Sequence, residues 1–293
     1  MDSRDPREGP KPAADTPMQD APGVESELRP QADHGEHSYR GAGKLEGLAA
    51  VITGGDSGIG RATAIAFARE GADVAIGYYA DKERSDAEDT AGWVAQAGRK
   101  AIAHRFNVQD PDACKGFVAE ALGAFGRLDI VVNNAAYQHE LPSIMDITPE
   151  QLDSTFRTNI FGYFYMVQAA LPHLQRGSVI LNCGSVVAMM GHPSLLDYSA
   201  TKGAIHTFTK SLARNLAADG IRVNCVAPGP VWTPFIPATM QEDNVRDFGV
   251  AMSIWERPAQ PAEIAPSFVF LASNDGRYYT GEVFAPTGME TTR

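Results

Sequence analysis

Cysteine is scarce, with three residues in 293, at Cys114, Cys183 and Cys225. No pair has CxxC spacing, so neither a zinc site nor a disulfide framework is indicated. Basic residues are outnumbered, 25 Lys and Arg against 36 Asp and Glu, for a formal net charge of −11. A protein whose main partner is nucleic acid needs the opposite surface. No apolar run approaches the ~20 residues that span a bilayer. The opening MDSRDPREGP lacks the basic-then-apolar order of a signal peptide. His139, His192 and His206 show no ligand spacing, so no metal is expected. These gaps predict a soluble, reduced, cytoplasmic chain without a membrane or nucleic-acid partner.

What is present divides into two parts. Residues 1–40 are rich in Pro, Asp, Glu and Gly and poor in large apolar side chains. Such a segment cannot bury enough surface to offset its ordering entropy, and it is expected to be disordered or draped over the body. From 41 to 293, short apolar runs (LAAVITG, ADVAIGYY, KAIAHRFNV, LDIVVNNA, GSVILNCGS, GIRVNCVAPG, TGEVFAP) alternate with amphipathic stretches. Continuous apolar strands separated by helices mean βαβ units. The pattern predicts a single α/β domain, a doubly wound parallel sheet of about seven strands with helices on both faces.

Directly after the first strand comes VITGGDSGIGR, with glycines at 54, 58 and 60. Between strand and helix, Gly54 permits the tight turn, Gly58 lets backbone approach a pyrophosphate, and Gly60 allows close helix–strand packing. The helix N-terminus adds unpaired N–H groups for the phosphates. No Gly-Lys-Ser/Thr follows, which excludes a P-loop. Further along, Tyr198 and Lys202 lie four positions apart in DYSATKGAIHTF, on one face of a helix. A free tyrosine has a pKa near 10, and an ammonium one turn away is expected to lower it. Alone, such a pair is usually a snorkelling surface pair. Cys183 reads as a small apolar strand residue. Ile205, Phe208, Leu212 and Leu216 read as core or interface positions.

The GxxxGxG spacing, NNAA at 133–136, Asn159 in RTNIFGYF, Ser185 thirteen residues before Tyr198, YSATK and APGPVWT together resemble the short-chain dehydrogenase/reductase family. The Pro-rich extension and SYRGAGKLEG resemble a bacterial subgroup labelled general stress proteins or uncharacterised oxidoreductases. The resemblance implies a Rossmann-fold NAD(P)-dependent oxidoreductase acting on an aldehyde or ketone, or on the corresponding alcohol. It assigns catalysis to Asn159, Ser185, Tyr198 and Lys202. Tyr198 would be the general acid/base, Ser185 a donor to the substrate oxygen, and Asn159 a holder, through its backbone, of a relay water. It assigns the dinucleotide to Gly54, Asp56, Ser57, Gly58, Ile59, Gly60, Tyr78, Asn107, Val108, Asn133, Ala135, Pro228, Gly229, Val231 and Thr233, with Tyr198 and Lys202. It also implies a homodimer or homotetramer. The ending FAPTGMETTR departs from the family's usual Asp-Gly-Gly.

The second strand ends in IGYYAD, with no cation placed for a 2′-phosphate, and Asp56 and Asp81 would oppose one. The cofactor is NAD or NADP, with a lean to NAD, although Arg61 or Arg40 could reach in. The substrate pocket is expected from Tyr137, Gln138, Val187, Met189, Met190 and Trp232, with His139 at its edge, and from the stretch 232–257. This pocket is mostly apolar and suits a small or medium neutral carbonyl compound. The alternative is a catalytically silent dinucleotide-binding regulatory protein. An extended-branch epimerase would carry GxxGxxG, which this chain lacks.

Overall fold

The computed structural model describes residues 5–13 and 15–289. Seven apolar runs become strands: β1 Ala49–Thr53, β2 Asp73–Tyr78, β3 Ala101–Arg105, β4 Ile130–Asn133, β5 Val179–Cys183, β6 Arg222–Val226 and β7 Val283–Phe284. They form one parallel sheet in the order 3-2-1-4-5-6-7. The helices are α1 Gly58–Arg69, α2 Arg84–Gln96, α3 Pro111–Phe125, α4 Pro149–Phe156, α5 Gly162–Ala170, α6 Val187–Met190, α7 Leu196–Asn215, α8 Phe235–Thr239, α9 Glu242–Arg246 and α10 Pro261–Ala272.

Both sheet faces are covered, which is why the strands are apolar without alternation. Ala50 and Ile52 of β1 pack with α1, α2 and α10. The intervening Val51 packs with α3, α5 and α7 on the other side. Strand order reverses between β1 and β4, and in open α/β sheets the crevice beyond the strand ends at that point is the place for a ligand. Local chemistry sets the helix ends. Asp110 caps α3 by accepting from Asp112 N and Ala113 N, and Gly126, at φ 76°, terminates it. Between α4 and α5, Arg157–Phe161 forms a π turn. Such bulges are rare and recur at functional sites.

The described residues of the N-terminal extension run as a strap across the body, held by a few anchors. Leu28 is fully buried in a cluster with Ala32, Trp232, Ile236, Met240, Val245 and Phe248. Trp232 Nε1 donates to Pro30 O at 2.8 Å. This corrects the expectation that Trp232 lines the substrate pocket: its ring is consumed in seating the strap. Gly23 passes so near α8 that a Cβ there would fall 2.3 Å from Pro234 O. Tyr39 Oη donates to Glu70 Oε1 at 2.6 Å. Within the strap, the Glu25 carboxylate and His34 Nε2 stand 3.1 Å apart, both almost wholly buried. Burial opposes charge on His34, but the charge and hydrogen bond of Glu25, helped by Glu36, outweigh it and raise His34 to about 9.

Two outcomes follow for stability. Leu28→Ala, which opens a cavity under the strap, is expected to cost about 2–5 kcal/mol in urea denaturation, and an unchanged midpoint would show that the strap is not docked. Because His34 is raised in the folded state, its contribution is fully present below its unfolded pKa of about 6.5 and is lost as pH rises through about 9. The midpoint difference between wild type and His34→Gln should therefore narrow between pH 6 and pH 10.

Candidate functional site

A cavity of about 470 Å³ opens at the crevice between β1 and β4. Its floor is the glycine turn. Gly54 and Gly58 adopt φ of +63° and +49°, and a Cβ on Gly60 would lie 1.9 Å from Gly54 O. No side chain fits between α1 and the turn, so the helix start is seated directly on it. Gly60 thus acts beneath the cavity, whereas Gly54, Asp56, Ser57, Gly58 and Ile59 line it. Across the crevice, Thr53 Oγ1 accepts from Asn134 N and Ala135 N, and Asn134 Nδ2 donates to Thr53 O and Gly54 O. Asn133, expected at the cofactor, is instead fully buried and donates to Asn182 Oδ1. The strand's alternation turns it into the core and presents Asn134 with Ala135 to the cavity.

At the β2 end the cavity meets Tyr78, Tyr79, Glu83, Asn107 and Val108. Asp56 is buried, and burial followed by the nearby Glu83 charge pushes its carboxyl well above the ordinary carboxylate range. Glu83 accepts from Tyr79 N and Ala80 N, yet burial still raises it. Arg61 does not reach into the cavity: it is buried and ion-paired to Asp89. Arg40 is exposed and donates to His37 O. The first amide of α1 is not unpaired as expected, because Gly58 N donates to Glu25 Oε2 at 2.9 Å. The helix has no cap from its own Ser57, and the strap supplies the anion that its positive end favours.

At the other end stand Ser185, Tyr198 and Lys202, all lining the cavity. Lys202 is almost wholly buried, and its Nζ donates to Cys183 O at 2.7 Å. Tyr163 Oη donates to the same carbonyl at 3.1 Å. The lysine nitrogen stands 5.3 Å from the centre of the Tyr198 ring. The expected lowering of the tyrosine is not what this geometry produces. Burial pushes the phenol above its ordinary value, and a Ser185 hydrogen bond pulls only partly the other way. Burial likewise pushes Lys202 down and the Cys183 thiol up, which removes any thiolate nucleophile.

Asn159 occupies the π turn, fully buried. Its side chain accepts from Tyr137 N at 2.7 Å and donates to Tyr137 O and Thr201 Oγ1. It thereby ties the loop after β4 to α7, one residue from Lys202. Asp197, beside Tyr198, is held by Thr155 Oγ1 and Gln151 Nε2 and accepts from Tyr198 N. These contacts lock the start of α7.

The outer part of the cavity is lined by Tyr137, Gln138, Val187, His192, Leu195, Phe235, Ile236, Met240, Phe248 and Met252. Met189 and Met190, expected here, are each 42% exposed and point away from it, because α6 is a single turn that presents Val187 inward. His139 is not among the lining residues. Glu140 holds this end together without entering it. Its carboxylate accepts from Ser194 Oγ, Asn244 Nδ2 and Gln241 N, and these bonds keep it below the usual carboxylate range despite burial. Neither Glu140 nor Glu25 carried a sequence signal, since their partners in the body of the fold lie 54 to 104 and 33 to 61 positions away.

The arrangement fits a nicotinamide dinucleotide. A Cβ at Gly58 would lie 2.9 Å from Thr233 Cγ2, so only bare backbone lets the glycine turn pack against Thr233 at the cavity wall. Asp56 lines the cavity, and its Oδ2 is buried without a hydrogen-bond partner, a polar group that an incoming ligand could satisfy. Pro228, Gly229, Val231 and Thr233 close the far wall. Among the described residues, no group of three or more His, Cys, Asp or Glu could hold a metal ion, and no helix is long and apolar enough to cross a membrane.

Comparison with known proteins agrees with this geometry. Residues 54–288 match the family model described as enoyl-(acyl carrier protein) reductase. The chain is 50% identical over 267 residues to the Bacillus subtilis protein named uncharacterized oxidoreductase YhdF, covering 91% of each. It is 46% identical to the Arabidopsis thaliana NADPH-dependent aldehyde reductase 1, covering 91% of this chain and 94% of that one. A Burkholderia cenocepacia short-chain dehydrogenase solved in complex with NADP superposes with a TM-score of 0.78 at 32% identity, over 85% of this chain and all of the other. With the parallel sheet, the glycine turn and the Ser-Tyr-Lys cavity in place, these matches assign the chain to the short-chain dehydrogenase/reductase family of NAD(P)-dependent oxidoreductases.

Proposed function

We propose that the protein reduces a small or medium, mostly apolar aldehyde or ketone, with Tyr198 as the proton donor at the substrate oxygen. The observation that carries this reading is that Ser185, Tyr198 and Lys202 share one cavity with the glycine turn and with an apolar outer wall. A bound nicotinamide supplies the hydride to the carbonyl carbon, or takes it back in the reverse direction. The residues proposed to hold it are those of the 54–59 turn, Tyr78, Asn107, Val108, Ala135, the 228–233 segment and Lys202. Reduction leaves charge on the oxygen, which needs a proton and a fixed donor. Tyr198, kept protonated by its burial, is suited to give that proton, and Ser185 to hold the oxygen. Lys202, pinned on Cys183 O beside the ring, keeps a positive charge near the phenolate that forms. Asn159 positions Tyr137 and α7 rather than touching the reacting atoms.

Phe235, Ile236, Met240, Phe248 and Met252 favour an apolar substrate, since a sugar phosphate would find no cation among them. The name of the Arabidopsis relative, an aldehyde reductase, supports reduction of an aldehyde. For the cofactor we favour NAD(H), because the acidic side chains Asp56 and Glu83, and among the described residues no Lys or Arg, line the β2 end of the cavity. Exposed Leu152, Phe161 and Phe164 along α4, the π turn and α5 favour a homodimer or homotetramer. Three free, buried cysteines suit a reducing compartment such as the cytoplasm.

Tyr198→Phe should lower kcat by roughly 10²–10⁴-fold on a responsive aldehyde while leaving dinucleotide affinity within a few-fold. Unchanged turnover would remove Tyr198 from the chemistry. Screening aldehydes and ketones with NADH and NADPH tests the class itself. Tight dinucleotide binding with no turnover on any carbonyl compound would favour the silent regulatory alternative.

A further inference from the structure

The strap is more than a cover. Its Glu25 carboxylate holds the first amide of α1, Gly58 N, at 2.9 Å, at the point where the glycine turn meets the adenosine end of the cavity. Glu25 N in turn donates to Asp86 Oδ2 at 2.7 Å. Asp86 and Glu83 are the charges felt by Asp56, a cavity-lining residue whose Oδ2 is buried without a hydrogen-bond partner. Glu25 is therefore the outermost member of a chain of carboxylates leading to the ribose position. Two cations face this chain, and both are engaged: Arg61 with Asp89, and His34 with Glu25 itself. On the surface nearby, Lys82 donates to Asp20 O of the strap, while Arg84 and Arg105 pair with Asp81.

We propose that the strap is a working part of the dinucleotide site and that Glu25 is a specificity-determining residue: by placing a carboxylate on the Gly58 amide, it selects a free adenosine ribose over a 2′-phosphorylated one. A 2′-phosphate brings close to two further negative charges beside the Glu25 carboxylate and beside acidic groups, Asp56, Glu83 and Asp86, whose own ionisation burial already opposes. In a poorly screened setting that repulsion does not vanish, as it would at an exposed surface. A ribose diol, in contrast, adds no charge, and its hydroxyls can donate to or accept from the Asp56 carboxyl in either protonation state. The carboxylate also takes up a helix amide that a phosphate would otherwise use, so the anion supplied by the protein replaces one that the ligand could bring. The neighbouring contacts keep Glu25 in place. Gly23 and Pro234 touch with no room for a side chain between them, and Leu28 is locked under Trp232.

The proposal rests on the dinucleotide reading of the cavity, and one titration separates the two. Dissociation constants of NADH and NADPH are measured on the full-length protein by nicotinamide fluorescence, without substrate. Wild type is expected to prefer NADH. Glu25→Gln keeps an acceptor for Gly58 N and removes only the charge, so the ratio of NADPH to NADH dissociation constants should fall roughly tenfold, chiefly through tighter NADPH. Glu27→Gln, the same charge change at an exposed strap residue, should leave the ratio unmoved. A Glu25→Gln protein with wild-type Tm and an unchanged ratio overturns the proposal, as does a wild type that prefers NADPH. Should Glu25→Gln fail to fold, His34→Gln serves instead. Losing that cation should raise the ratio, and no rise overturns the proposal. Failure of wild type to bind either cofactor overturns the dinucleotide reading itself.

Discussion

The contact on which the site depends is the one between Gly60 and the carbonyl of Gly54. Because a Cβ at 60 would fall 1.9 Å from that oxygen, α1 begins directly on the end of β1. This seats the helix N-terminus at the reversal of strand order, where β1 and β4 part. Thr53 and Asn134 then bind across the gap and hold the two strand ends at one spacing. Every wall of the cavity is measured from that corner.

The reacting end is built by a second fixed point, the carbonyl of Cys183. Lys202 and Tyr163 both donate to it, so the end of β5 sets where α7 carries its ammonium. Asn159, in a π turn that widens the helix locally, joins the loop after β4 to the same helix. These hydrogen bonds fix Lys202 and the start of α7 at that end of the cavity. Its outer wall is supplied by short helical pieces, α8 and α9, that are held from outside by Glu140 and by the strap. The buried charge is distributed unevenly. Acidic side chains gather at the β2 end of the cavity, and the lysine lies at the other.

Much of this was legible in the sequence because it depends on local spacing. The seven strands follow from continuous apolar runs, since a sheet covered on both faces removes alternation. The glycine turn follows from the two backbone demands it meets, a positive φ and a close approach. The spacing of Tyr198 and Lys202 placed both on one helix face, and both line the cavity. Where spacing is ambiguous by one residue, the reading slipped. Asn133 and Asn134 are adjacent, and only the register of β4 with β5 decides which of them turns to the core. The readings of Met189 and Trp232 went wrong for a related reason, as each sits in a segment whose outward or inward face is set by what packs on it.

The sequence alone determined the sheet, the turn, the order of the motifs and the spacing of Tyr198 and Lys202, because these are set by continuous apolar runs, by the 3.6-residue period of helices and by the special backbone of glycine. The tertiary structure alone decided which groups meet across long separations. It gave Gly58 N–H to Glu25, turned Lys202 onto Cys183 O, and spent Trp232 on Pro30. It also reversed the expected direction at Tyr198, since the balance between burial and a neighbouring charge is a property of the packed cavity and of no spacing along the chain.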